Sequence, residues 1–171
     1  MIVSAGEWGS APGRFAPELR HTPERLTVHH AGVATKPGED YRDKMRRLQL
    51  WGQREKHWPD VPYHFLIAPD GTVFEGRPLG IAGATNTEYD TRGHALVQLF
   101  GDFEREEPTA AQLDAAVHVL AWLSTSLDID PMSLRGHRDY AKTSCPGANL
   151  YRLLEDGSLL TRVIERIRGA R

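Results

Sequence analysis

A single cysteine, Cys145, stands in the 171-residue chain, so no disulfide can form within it and the fold must be held by packing or by a metal. Long apolar runs are missing too. Nothing reaches the roughly 18–20 residues of a membrane span, and the opening MIVSAGEWGS has neither the basic nor the apolar region of a standard secretory signal. Neither sign of charge dominates: 21 Lys and Arg against 23 Asp and Glu leave a formal charge of −2, which gives no draw toward nucleic acid or an anionic membrane. A phosphate-cradling glycine loop, a dinucleotide fingerprint and an HExxH helix are absent, as are internal repeats and low-complexity tracts. No shift in composition marks a boundary, so residues 1–171 are expected to form one domain, and a monomer.

What is present reads as alternating strands and helices. Ile2-Val3 and Trp8 predict a short edge element, and RLTVHHA (Arg25 to Ala31) a strand on which His29 and His30 point to opposite faces. Tyr41, Met45, Leu48 and Trp51 recur three or four apart within a helical stretch from Glu39 to His57. VPYHFLIAPDGTVFEGR predicts a hairpin turning at Asp70-Gly71, with Tyr63, Phe65 and Ile67 on one face and His64 and Leu66 on the other. The near-continuous apolar run Ala95 to Phe100 predicts a central strand covered on both sides. Thr109 and Gln112 have capping-box spacing ahead of a helix through Leu113, Val117, Leu120 and Leu123, and a last helix is expected near Leu159 to Ile167. Together these give an α/β fold, a central mixed β-sheet flanked by helices.

The chemistry concentrates around LRGHRDYAKTSCPGANL, Leu134 to Leu150. Taken alone, Cys145 reads as a small buried hydrophobe. Paired with His137 and one further imidazole it becomes a donor set suited to Zn²⁺, with a fourth position left for water. The spacing of His137 and Cys145 is too long for a local finger, so a loop must fold back, and Pro146-Gly147 can stiffen and turn it. The third donor is expected from His29 or His30, of which alternation admits only one. Tyr63 can donate a hydrogen bond to an oxyanion or hold a water; its bland alternative is core packing. Thr143 and Lys142 are further donors in the cysteine loop. The acidic DFEREEPT is more simply a solvated loop before a helix than a glycosidase carboxylate pair.

IVSAGEWGS, VHHAG, VPYHFLIAPDGTVFEGRP, GDF and GHRDYAKTSCPGANLY follow one another in an order and at separations that resemble the type-two N-acetylmuramoyl-L-alanine amidases, the family that includes peptidoglycan recognition proteins and amidase-type phage lysozymes. The resemblance spans nearly the whole chain. It implies one Zn²⁺ held by His29, His137 and Cys145, Tyr63 assisting the attacking water, Thr143 stabilising the transition state, and peptidoglycan or a muropeptide as substrate. It also implies a second possibility, a binding domain that does not cut, although the non-cutting members typically lack the cysteine. The chain departs from the family at GATNTEYDTRGHALV, which is one residue longer than usual and has Thr85 where a histidine is common. That segment borders the substrate groove in the family. Gly80 to His94 is therefore expected to form a surface loop at the zinc rim, offering Asn86, Glu88, Tyr89, Asp90 and Arg92 to the stem peptide. A wall-directed enzyme without a visible signal is expected to reach its substrate by lysis, by a non-standard export route, or through a signal trimmed from the N-terminus.

Overall fold

The computed structural model describes residues 1–169. A six-stranded mixed sheet forms the centre. Its strands are β1 (Ile2–Val3), β2 (Arg25–His30), β3 (Phe65–Ile67), β4 (Val73–Glu75), β5 (His94–Leu99) and β6 (Arg135–Gly136), arranged in the order β1-β4-β3-β5-β2-β6. Only the β3–β4 hairpin is antiparallel; the other neighbours run parallel. Helices α1 (Tyr41–Glu55), α2 (Ala110–Ser126), α3 (Ala148–Glu155) and α4 (Ser158–Gly169) complete the fold. Among the described residues no helix is long and apolar enough to cross a membrane.

Period-two alternation divides the interior into two cores. Leu26, Val28, Phe65, Ile67, Ala95, Val97 and Leu99 face one way and pack with Leu120, Leu123, Leu150 and Val163 from α2, α3 and α4. On the other side Val3, Trp8, Leu66, Phe74 and Phe100 pack with Met45 of α1. All six residues of β5 are buried, as its apolar run predicts. The capping box at Thr109 and Gln112 is formed, and Asp40 caps α1 by accepting from the Arg42 and Asp43 amides.

Two expectations are corrected, and one further helix is found. Tyr63 does not share a face with Phe65 and Ile67: β3 begins at Phe65, the chain bends at His64 just before it, and Tyr63 packs on the α1 side beside Val61 and Leu66. Trp51, placed by periodicity in the apolar stripe of α1, is 41% exposed; Met45 of that stripe is buried as expected, and Gln49 and Gly52 are buried in addition. The cysteine loop runs directly into α3, whose Leu150, Leu153 and Leu154 carry too short a periodicity to stand out from a sequence.

The hairpin turn depends on Gly71, which has φ +83°, and where a Cβ would lie 2.9 Å from the Ala111 carbonyl oxygen at the start of α2. Gly71→Ala is expected to cost at least about 1–2 kcal/mol, because an L-residue is strained there and the backbone of α2 has to shift. Thermal unfolding checks this: the midpoint should fall by roughly 2–8 °C, and an unchanged midpoint would contradict the packing described.

Candidate functional site

The site forms where three parallel strands end together. In the β2–β6 ladder Val28 lies opposite Gly136, so the next residues, His29 and His137, emerge at one level. Their ring centroids are 4.6 Å apart. The chain then leaves β6 through a short 3-10 turn, His137–Asp139, in which the Asp139 carboxylate accepts from the Gly136 amide. From there a loop doubles back. The Arg138 amide donates to the Cys145 carbonyl (2.9 Å), and the Cys145 amide donates to Thr143 Oγ1 (3.2 Å). Gly147 closes the loop with φ +87°, and a Cβ there would collide with the backbone of Phe103.

This return brings Cys145 Sγ to 3.6 Å from His29 Nδ1, and Sγ also accepts from the His30 amide at 3.4 Å. One donor atom from each of His29, His137 and Cys145 lies within 4.8 Å of the others, and all three residues are buried. Of the two histidines that alternation left open, His29 is the one brought beside His137 and Cys145, while His30 faces the opposite way, its Nδ1 accepting from the Phe103 amide at 3.1 Å.

Burial keeps these groups neutral. Burial, reinforced by the neighbouring imidazoles of His137 and His94, holds the His29 pKa well below the usual histidine range. His137 is held down to about 4, chiefly by burial. The Cys145 thiol is pushed up to about 12 by burial, against the opposing pull of the His30 amide and Arg138. A cavity that favours neutral imidazoles is one that suits metal ligation, since ligating nitrogens must be unprotonated. Tyr63 stands over His29 with ring centroids 4.9 Å apart, and burial raises its phenol so that it stays protonated.

The Gly80–His94 segment contributes more than a rim. Thr87 Oγ1 lies 2.6 Å from His137 Nε2, and Thr85 Oγ1 lies 3.0 Å from Thr87 Oγ1 and 3.1 Å from the Thr87 carbonyl oxygen. If Nε2 carries the proton, a consistent chain of donors follows: Nε2–H to Thr87, the Thr87 hydroxyl to Thr85, and the Thr85 hydroxyl to the Thr87 carbonyl. Nδ1 of His137 is then the nitrogen left with a lone pair. Thr87 was not foreseen from sequence; its only signal is the TNT run in the segment that departs from the family. Tyr89 packs against His137, His94 and Tyr140, at centroid distances of 5.2, 5.3 and 5.8 Å. Arg92 forms a fork with Asp90, with Nη2 to Oδ2 at 2.6 Å, and both side chains are exposed. Glu88 and Lys142 are exposed as well.

Beside the trio lies a groove of about 390 Å³ between α1 and the strand ends, lined among others by Tyr63, Asn86, Gln98, Trp51 and Trp58. Lys36, Lys44 and Arg47 give its far wall a cationic character, offset by Glu39, which pairs with Lys44 at 2.7 Å and Arg47 at 3.3 Å. Of the residues expected to meet substrate, Asn86 therefore lines the groove, whereas Glu88, Tyr89 and Arg92 are not among its lining residues.

Residues 19–148 match the model of a protein family described as N-acetylmuramoyl-L-alanine amidase. Among curated proteins, the chain is 30% identical over 164 residues to peptidoglycan recognition protein 1 of Bos taurus, covering 95% of this chain and 86% of that one. It is 32% identical over 164 residues to the N-acetylmuramoyl-L-alanine amidase of Homo sapiens, covering 92% of this chain but 28% of that protein. Among solved structures, a Drosophila PGRP-LB variant in complex with tracheal cytotoxin superposes with a TM-score of 0.78 at 28% identity, covering 92% of this chain and 93% of that one.

Two further imidazoles on this face make the fold acid-sensitive. His64 is held down to about 3 by burial, between the Leu96 amide at Nδ1 and the Ile81 carbonyl at Nε2. His94 is held down to about 4 by burial and by Arg25, with Nδ1 2.8 Å from Thr27 Oγ1. The unfolded chain takes up these protons near the ordinary value of 6.5, so below it the unfolded state binds more protons than the fold. Stability is thus complete above about pH 6.5 and is lost as pH falls toward 4, by about 1.4 kcal/mol per pH unit for each histidine kept neutral. Urea unfolding of chelator-treated protein from pH 7.5 to 4.5 checks this; a flat profile would mean that these rings are accessible to protons in the fold.

Proposed function

The chain belongs to the N-acetylmuramoyl-L-alanine amidase family, and on that premise we propose that it is a zinc-dependent enzyme hydrolysing the amide bond between N-acetylmuramic acid and L-alanine in peptidoglycan. The observation that carries this reading is the His29, His137 and Cys145 trio. The donors fit the metal. Tetrahedral zinc with a thiolate at about 2.3 Å and an imidazole nitrogen at about 2.0–2.1 Å requires a sulfur-to-nitrogen separation of about 3.6 Å, and Sγ to Nδ1 of His29 is 3.6 Å. A thiol pushed up to about 12 by burial also needs a cation beside it to become a ligand. Three protein donors rather than four are the pattern of an open, catalytic site.

When bound, zinc would act as a Lewis acid that activates water and polarises the scissile carbonyl. The chain's own residues do the rest. His29 and His137 hold neutral nitrogens toward the centre, and in the tautomer that leaves His137 Nδ1 with its lone pair Thr87 Oγ1 accepts a hydrogen bond from Nε2–H and so fixes the ring orientation. Tyr63, kept protonated by burial, is a donor rather than a base, and serves the oxygen on which negative charge develops. Thr143 accepts the Cys145 amide through its oxygen, which leaves its own hydroxyl hydrogen free to donate at the same rim. Lys36, Lys44 and Arg47 give the groove a wall suited to the carboxylates of a stem peptide, and Trp51 and Trp58 offer apolar faces. A muropeptide ligand is also consistent with the tracheal cytotoxin bound to the similar PGRP-LB variant. The non-cleaving alternative is disfavoured by Cys145, a ligand that a pure binding groove does not need.

Mass analysis of peptidoglycan digested by the zinc-loaded protein is expected to show peptides with free L-alanine amino groups and intact glycan strands. Tyr63→Phe should stay folded and keep its metal while turnover falls at least roughly tenfold. New sugar reducing ends, or binding without any release, would contradict the proposal; an unchanged rate in Tyr63→Phe would return that residue to packing.

A further inference from the structure

Gln98 is a buried polar side chain that the fold itself leaves without a partner. It interrupts the otherwise apolar stretch of β5 and is 1% exposed, yet its Nε2 has no hydrogen-bond partner among the described residues. Position and burial together identify its surroundings. In the parallel β2–β5 ladder Gln98 is the register partner of His29, and on its other side it pairs with Leu66, so its side chain leaves the same face of the sheet as the imidazole beside it. That face opens into the groove, which Gln98 lines together with Tyr63, Pro62 and Asn86.

A buried carboxamide without a partner is unfavourable, and at a site flanked by Leu66 and Phe100 a leucine or methionine would pack without that penalty. His64 is satisfied within the protein by Leu96 and Ile81, His94 by Thr27 and Arg77 by three carbonyl oxygens, whereas Nε2 of His29, one of the donor trio, is left without a partner among the described residues as Gln98 Nε2 is. Gln98 differs in standing at the groove floor next to the metal-donor trio. From this we infer that Gln98 is a substrate-positioning residue, whose carboxamide hydrogen-bonds a backbone amide of the bound muropeptide beside the bond to be cut. A carboxamide donates through its NH₂ and accepts through its oxygen, which matches a secondary amide, and it stays neutral at every pH, so it orients the substrate without altering the charge at the donor trio. The inference rests on the amidase reading and adds to it the residue that aligns the peptide.

The test compares the zinc-loaded parent with Gln98→Leu, and with Gln98→Met, which keeps the length and flexibility of the side chain. Zinc content, thermal midpoint, kcat and KM on a muramoyl-tripeptide are measured for each, together with the ¹⁵N-resolved side-chain amide signals of the parent on titration with the same compound. Both variants are expected to keep stoichiometric zinc and an equal or higher midpoint while kcat/KM falls at least tenfold, and the Gln98 amide signals should shift on titration. A residue that merely fills space would give the opposite pattern: a stabilised variant with the parent's kcat/KM and unmoved amide signals, which overturns the inference and leaves the amidase reading standing. A parent that neither binds nor cleaves the tripeptide brings down the amidase reading itself, and this inference with it.

Discussion

The parallel pairing of β2 with its two neighbours is the constraint on which everything at the site depends. Because β5, β2 and β6 run the same way, their carboxyl ends open at one edge of the sheet, and residues far apart in sequence arrive there at one level. The ladder sets Gln98 beside His29, and the β6 ladder sets His137 on its other flank. Parallel strands are hydrogen-bonded at regular intervals, so a slip of one residue would turn His29 into the apolar core and His30 into the groove. The core composed of Leu26, Val28, Val97 and Leu99 holds that register, and so the site's geometry is maintained by side chains that never touch it.

Much of this was legible in the sequence, for identifiable reasons. The apolar run of β5, the Asp70-Gly71 turn and the Thr109 cap each carry a local signal strong enough to survive folding. His137 and Cys145 could be paired because few residue types make such a donor set. Alternation separated His29 from His30 but could not choose between them, since the choice is made by the ladder partners and by the Phe103 amide that engages His30. Tyr63 was placed on the wrong face because the strand does not extend back to it; the preceding segment is held by Arg77, whose guanidinium donates to the carbonyls of Asp60, Val61 and Ala82. That is a tertiary contact with no local pattern. Thr87 was missed for the same reason, its partner lying fifty positions away.

The same burial that makes the site chemically useful makes it costly to maintain. His29, His64, His94 and His137 are all kept neutral in a polar, water-poor layer, so the fold withholds protons that the unfolded chain would take. A metal held by two of these imidazoles and the thiol would draw on that neutrality, since protonated nitrogens cannot ligate. The loop from Gly80 to His94 ties the two requirements together: it covers His137 with Thr87 and Tyr89 and leaves Asn86 on the groove. Divergence in this loop therefore acts on the surroundings of the His29, His137 and Cys145 trio as well as on the wall of the groove.

The central claim is an open zinc site built from one sulfur and two imidazoles. X-ray absorption at the zinc edge of the metal-loaded protein tests it without reference to activity. The account predicts one sulfur at about 2.3 Å and three lighter neighbours at about 2.0–2.1 Å, two of them showing the outer-shell scattering of imidazole rings. A spectrum without sulfur, or with three imidazoles completing a closed shell, would contradict it.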